Sequence, residues 1–198
     1  MNANAFIKVD KAAFYRFIQG QSDGRYEYVR GRIMQQQGGT FQHAQIGKRF
    51  LRVLDRALDN AKWAASGSDR GVDLGDRVRY PDVVVEPFGA APDSLSTTEP
   101  VIIVEVLSPS SGDRDLELKP LEYIALSSLQ AYIVASPDHA ACVVWIRDDE
   151  KGFPPDGVDV EGTGATIDIP ELGLSIPLAE IYGVVKSKTS ADKDTPRG

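Results

Sequence analysis

Residues 100–119 read "PVIIVEVLSPSSGDRDLELK", and this stretch decides how the chain folds. Residues 101–104 are apolar and β-branched, the pattern of a strand buried on both faces. Glu105 then stands near the end of that strand, where an unpaired carboxylate would be costly to bury. Two readings follow. Either the strand exits there, half in water, or Glu105 faces a site that needs a carboxylate. Ser108 and Ser110 read as caps for the turn and the helix that follows. Leu121, Ile124 and Ala125 are that helix's apolar positions. Pro120 disfavours a helical Lys119 but suits a first turn, so the helix is expected to begin near Pro120.

Outward from this stretch the elements alternate. Upstream, "RYPDVVVEP" (79–87) reads as a short strand opened by Pro81 and closed by Pro87. Downstream, "LQAYIVASP" (129–137) and "ACVVWIRD" (141–148) read as two strands with a turn at Pro137 and Asp138. Near the N-terminus, Ala13, Phe14, Phe17 and Ile18 predict a short helix over 10–20. "RYEYVRGRIMQ" (25–35) alternates like a hairpin turning at Gly31. Ile46, Phe50, Val53, Leu54, Ala57 and Leu58 recur every three or four residues and predict a long helix over 42–58, with His43 in its first turn. Residues 148–166 read as a polar loop, and 165–182 as a closing strand, a turn and a short helix. The expected fold is α/β or α+β, a mixed sheet flanked by helices with an N-terminal hairpin. A single domain over 1–185 and a disordered tail over 186–198 are expected.

At 198 residues, 42% apolar and 26% charged, the chain suits one sizeable core. No apolar run approaches the ~20 residues of a membrane span. The opening residues lack the basic-then-apolar order of a signal peptide. Cys142 is the lone cysteine, which excludes an intramolecular disulfide and fits a reducing compartment. A cytoplasmic location is therefore expected. The net charge of −7 hides an asymmetry. Residues 1–80 hold 14 Lys/Arg against 8 Asp/Glu, and the remainder 8 against 21. Such a distribution serves either a local phosphate-facing surface or pairing of opposite charges across the fold, and pairing is the more economical expectation.

Asp82 opens one apolar strand and Glu105 closes the next. If these strands are neighbours, their carboxylates converge at one sheet edge. Oxygen ligands on rigid strands suit a hard cation such as magnesium, at ~2.0–2.1 Å. The backbone carbonyl of Val106 would point to the same place, and Glu27 and His43 are further polar groups the fold could bring close. Spacing alone is a weak signal here. Each residue also has a plain structural role open to it: Asp82 bonded to a turn, Glu27 guarding an edge strand, His43 packing at a helix start, Lys119 in solvent. Phe50, Tyr123 and Trp145 read as core, and Cys142 as a small buried hydrophobe.

Taken in order, "YEYVRGRI", His43 before a helix, "YPDVVVEP", "PVIIVEVLSPSSGDRDLELK" with Glu122 and Tyr123 after it, "AYIVASP" and "IPELGLSIPLAEIY" resemble the Uma-two family of restriction-endonuclease-like proteins, over roughly residues 10–183. The resemblance implies the PD-(D/E)xK core, with Asp82 as the motif's aspartate and Glu105 as its second acid. It implies magnesium or manganese held by Asp82 and Glu105, beside which the Val106 carbonyl is a third candidate ligand and His43 a lesser one. It also implies DNA as substrate, with a phosphodiester bond hydrolysed by a metal-activated water. Glu27 would hold a second ion or orient water. Leu107 stands where the motif has lysine, and Lys119 is the family's replacement, with Pro120 directly after it. An aspartate usual before the proline after the fourth strand is absent, the segment being Ala135, Ser136, Pro137.

The expected activity is thus a metal-dependent endodeoxyribonuclease. The alternative is a weak or inactive nuclease fold that binds nucleic acid or protein, and a hydrolase of another phosphoester stays open. No membrane partner is expected, and a homodimer stays open as the assembly.

Overall fold

The structure is a computed structural model that describes residues 8–21, 24–108, 116 and 118–183. Helix α1 (Lys11–Gln19) starts at Asp10, whose carboxylate accepts from the Ala13 N–H at 2.6 Å. Strands β1 (Arg25–Val29) and β2 (Arg32–Gln36) form the expected hairpin. Its two turn residues, Arg30 and Gly31, have φ of 50° and 88°, the twist that two-residue hairpin loops need. Helix α2 (Phe41–Ala57) is capped by Thr40 and buries Ile46, Phe50, Val53 and Leu54, the periodic positions.

The strands that follow are β3 (Trp63–Gly67), β4 (Gly71–Asp73), β5 (Arg77–Arg79), β6 (Val83–Pro87), β7 (Ser96–Thr97) and β8 (Ile102–Val106). Helix α3 (Lys119–Tyr123) precedes the β9 (Ala131–Ala135) and β10 (Ala141–Ile146) hairpin. The chain closes with β11 (Val158–Glu161), β12 (Thr166–Ile169), a 3₁₀ turn, β13 (Leu174–Pro177) and α4 (Leu178–Tyr182).

A six-stranded mixed sheet, ordered β11-β10-β9-β8-β6-β3, is the spine. β8 runs antiparallel to β6 and parallel to β9. The period-2 alternation of strands explains its two covered faces. Val83, Val85, Ile102, Val104 and Val106 pack with α2, β12, β13 and α4. Val84, Ile103, Tyr132, Val134 and Trp145 face the other way, toward Tyr123 and Val72. A second sheet, β2-β1-β5-β4-β7, lies with α1 around Phe14, Tyr28, Val78 and Tyr80. The reading of a mixed sheet flanked by helices with an N-terminal hairpin holds. Among the described residues, no helix is long and apolar enough to cross a membrane.

The sequence expectations missed short elements. β3 reads "WAASG", half-buried throughout and without alternation, and β4 and β5 have three residues each. β11 lies inside the segment read as a loop. It is an edge strand held by its backbone ladder to β10, and its Val158 is exposed. α3 begins at Lys119, one residue before Pro120, so the proline occupies a first-turn position that needs no donor. Ser110 and the tail over 186–198 lie outside the described residues.

Candidate active site

The β6–β8 ladder pairs Val83 with Val104. One further step in the same register sets Asp82 across from Glu105, so the two acids leave one end of adjacent strands. The Val106 N–H donates to Asp82 Oδ2 at 2.8 Å, which ties the two strand ends together. His43 Nε2 lies 3.2 Å from the same oxygen. Asp82 Oδ1 has no hydrogen-bond partner among the described residues. Glu105 is buried, and its Oε1 accepts from Lys119 Nζ at 2.6 Å and from the Tyr123 hydroxyl at 3.2 Å.

Helical spacing supplies these partners. Lys119 and Tyr123 are four residues apart on α3 and therefore share a face. Burial holds the Tyr123 phenol well above its ordinary pKa, so it remains a donor to Glu105. Leu107 packs into the apolar cluster beneath, and the cation beside Glu105 comes from α3. His43 reaches the site from the first turn of α2. Its pKa is raised, chiefly by the hydrogen bond to Asp82, against the opposing effect of burial, and a hydrogen bond to the Val106 backbone adds a little. Gly39 makes room for it, since a Cβ there would lie 2.5 Å from His43 Nδ1.

Glu27 reaches the same cleft but is engaged differently. Its Oε2 accepts from Arg79 Nη1 at 2.6 Å and its Oε1 from Gln36 Nε2 at 3.0 Å. Arg79 is itself buried and forks onto Glu122 of α3 at 2.9 and 3.0 Å. Arg77 Nε lies 3.2 Å from the same Glu122. Tyr123, Arg79, Glu122 and Gln36 escaped the sequence reading as site residues. Only Tyr123 carried a usable signal, its four-residue offset from Lys119.

Together Glu27, His43, Asp82, Glu105, Val106 and Lys119 line one cleft of ≈ 210 Å³, with Arg25 and Tyr80 on its rim. Every residue singled out for the site is therefore in one place. Among the described residues, no group of three or more His, Cys, Asp or Glu side chains forms a ready metal cage. Magnesium does not require one, because it commonly takes one or two carboxylates and fills the rest with water and phosphate. Asp82 and Glu105 are two such carboxylates, and Asp82 Oδ1 has no hydrogen-bond partner among the described residues. The charge asymmetry resolves largely as pairing: Arg70 with Glu86, Arg77 and Arg79 with Glu122, and Arg56 with Glu180.

Known proteins agree with this architecture. The chain is 28% identical over 184 residues to the uncharacterized protein slr1290 of Synechocystis sp., covering 89% of this chain and 93% of that one. It is 27% identical over 135 residues to sll1609 of the same organism, also uncharacterized, covering 66% of this chain and 76% of the relative. The fold matches a crystal structure described as a "putative nuclease belonging to DUF820" from Anabaena variabilis. The TM-score is 0.67 at 16% identity, over 84% of this chain and 94% of that one. Residues 12–179 match the family described as Uma2, "putative restriction endonuclease". The chain belongs to the Uma2 family.

Proposed function

We propose that the cleft is the active site of a magnesium- or manganese-dependent endonuclease that hydrolyses phosphodiester bonds in DNA. The observation that carries this reading is the convergence of Asp82, Glu105 and Lys119 on one strand-end corner. Asp82 and Glu105 would hold the ion. When bound, it supplies charge neutralisation for a phosphate and acidifies a water. The Val106 N–H and His43 hold Asp82 by Oδ2, and Oδ1 would be the oxygen that meets the ion. Tyr123 fixes Glu105. Lys119, held on Glu105, would supply the positive charge that Leu107 cannot bring to a bound phosphate. Glu27, with both oxygens bonded, shapes and stiffens the cleft wall and serves less well as a ligand.

The test is a manganese titration by calorimetry on the wild type, Asp82→Asn and Glu105→Gln, each checked by circular dichroism. Saturable binding in the wild type that is lost in both folded variants supports the shared site, and metal-dependent cutting of plasmid DNA would follow. No binding at millimolar manganese, or binding indifferent to both changes, sinks the reading. The fold would then serve as a binding module, an alternative that draws on Leu107 in the motif lysine position.

A further inference from the structure

A second groove, of ≈ 410 Å³, leaves the cleft along α2 and shares Arg25, Gly39, His43 and Asp82 with it. Helix geometry explains why this wall is open. At about 100° per residue, Ile46, Phe50 and Leu54 fall on the core face of α2. Ala44, Gly47, Lys48 and Leu51 fall on a second face, which lines the groove, and His43 stands at its border with the core face. Arg49, Arg52 and Arg56 fall on a third, in a separate recess with Glu180. Apart from Leu51, the groove side of the helix is thus small or cationic. Opposite it stand Gly67 and Ser68, at the end of β3. A Cβ at Gly47 would lie in van der Waals contact with Asp82 at 3.7 Å, so the helix runs close beside the acid.

The cations along this path lack the carboxylate partners that several arginines of the chain have. Arg56, Arg70, Arg77 and Arg79 are each paired with carboxylates. Arg25 and Lys48 have no ion-pair partner among the described residues, and Lys48 is exposed. Arg25 sits at the junction of groove and cleft, close enough to His43 for its charge to oppose that ring's protonation. Two cations with no ion-pair partner among the described residues, in a groove lined largely by small residues, suit a polyanion whose charges repeat along a narrow chain.

We propose that this groove carries the phosphate backbone of a DNA strand into the cleft, with Arg25 holding the phosphate at the junction and Lys48 one farther out. The proposal rests on the nuclease reading for what happens at the cleft end. Backbone binding itself does not require the metal. Contacts of this kind position the strand and carry no sequence information.

The experiment measures fluorescence anisotropy of a labelled mixed-sequence DNA duplex, and of one of its single strands, over a salt series in EDTA. The proteins are the wild type, Arg25→Ala/Lys48→Ala, the charge-keeping Arg25→Lys/Lys48→Arg, and Arg52→Ala as a control on another face of the same helix. The expected result is weaker binding by the double alanine variant, with a slope of log K against log salt shallower by about 1.8 for duplex or 1.4 for single strand. The charge-keeping variant and Arg52→Ala should follow the wild type. The proposal is overturned if the wild type does not bind at low salt. It is also overturned if the double alanine variant keeps its affinity and slope, or if Arg52 matters as much as Arg25 and Lys48. Binding through these two residues in a protein that takes up no manganese would leave the groove standing and the nuclease reading fallen. Cutting that survives the double alanine change with unaltered affinity would do the reverse.

Discussion

Glu27 and Glu105 are both buried carboxylates in one cleft, on strands of different sheets, and they are held by different chemistry. Glu27 has a guanidinium on one oxygen and an amide on the other. Its arginine is forked onto Glu122, so four side chains lock hairpin, β5 and α3 together. Glu105 instead faces a lysine and a phenol, both on its Oε1. A guanidinium is a rigid, always-charged fork, whereas an ammonium is a point charge on a flexible stem. The first arrangement makes a fixed wall. The second sets a carboxylate beside a cation that it is able to exchange. Two acids that look alike in the sequence therefore divide into a positioning group and a candidate ligand.

The sharpest way to break this comparison is Arg79→Met. It leaves Glu27 without a cation and Glu122 with Arg77 alone, and removing one partner of a buried ion pair typically costs about 3–5 kcal/mol. Urea unfolding should show the midpoint falling without a change in slope. A loss well under 1 kcal/mol would mean that Glu27 is not locked as described. Lys119→Met should cost less, about 1–3 kcal/mol, because the open cleft lets water reach the carboxylate left behind. The two variants should also respond differently to manganese. With its competitor for Glu105 removed, the lysine variant should bind manganese more tightly than the wild type, so at one fixed manganese concentration it gains more stability from binding. Manganese should do nothing specific for Arg79→Met beyond the gain seen in the wild type. Equal rescue of both would erase the distinction.

The acids themselves sharpen it further. Glu105→Gln should weaken manganese binding at least about tenfold, or 1.4 kcal/mol, whereas Glu27→Gln should shift it only a few-fold by loosening the cleft wall. Calorimetry on both, at matched fold content, reads this directly. A larger loss from Glu27→Gln would reverse the assignment and make Glu27 the ligand.

How much of this was legible follows from the size of each signal. The buried strands β6, β8 and β9 and helix α2 announce themselves by runs and periods that burial demands, so the sheet and the placement of Asp82 and Glu105 could be read. Lys119 could be named only through the family resemblance, because its contact with Glu105 is made across 14 residues of chain by a helix of five. Arg79 and Glu122 were invisible for a stronger reason. They lie 43 residues apart, and nothing local in either neighbourhood distinguishes a buried partner from a surface charge. Strands β3, β4 and β5 were missed because short or small-residue strands have no alternation to show.

The smallest effect tests the imidazole that steadies the ligand side of the comparison. A Cβ at position 39 would come within 2.5 Å of His43 Nδ1 and 2.6 Å of its Cγ, so Gly39→Ala must push the ring away or shift the helix start. Either change removes the His43 contact with Asp82 Oδ2 and leaves the Val106 N–H as that oxygen's remaining partner. The expected cost is that of one hydrogen bond, about 0.5–1.5 kcal/mol in thermal or urea unfolding. The His43 ring resonances should move while those of His139, bonded to Ser136 elsewhere, stay put. Manganese affinity should fall modestly, because Asp82 would turn more freely, and Glu27 should be untouched. If Gly39→Ala instead disturbs the Arg79 network as much as the His43 resonances, the two carboxylates are mechanically coupled and the wall is less fixed than its hydrogen bonds imply.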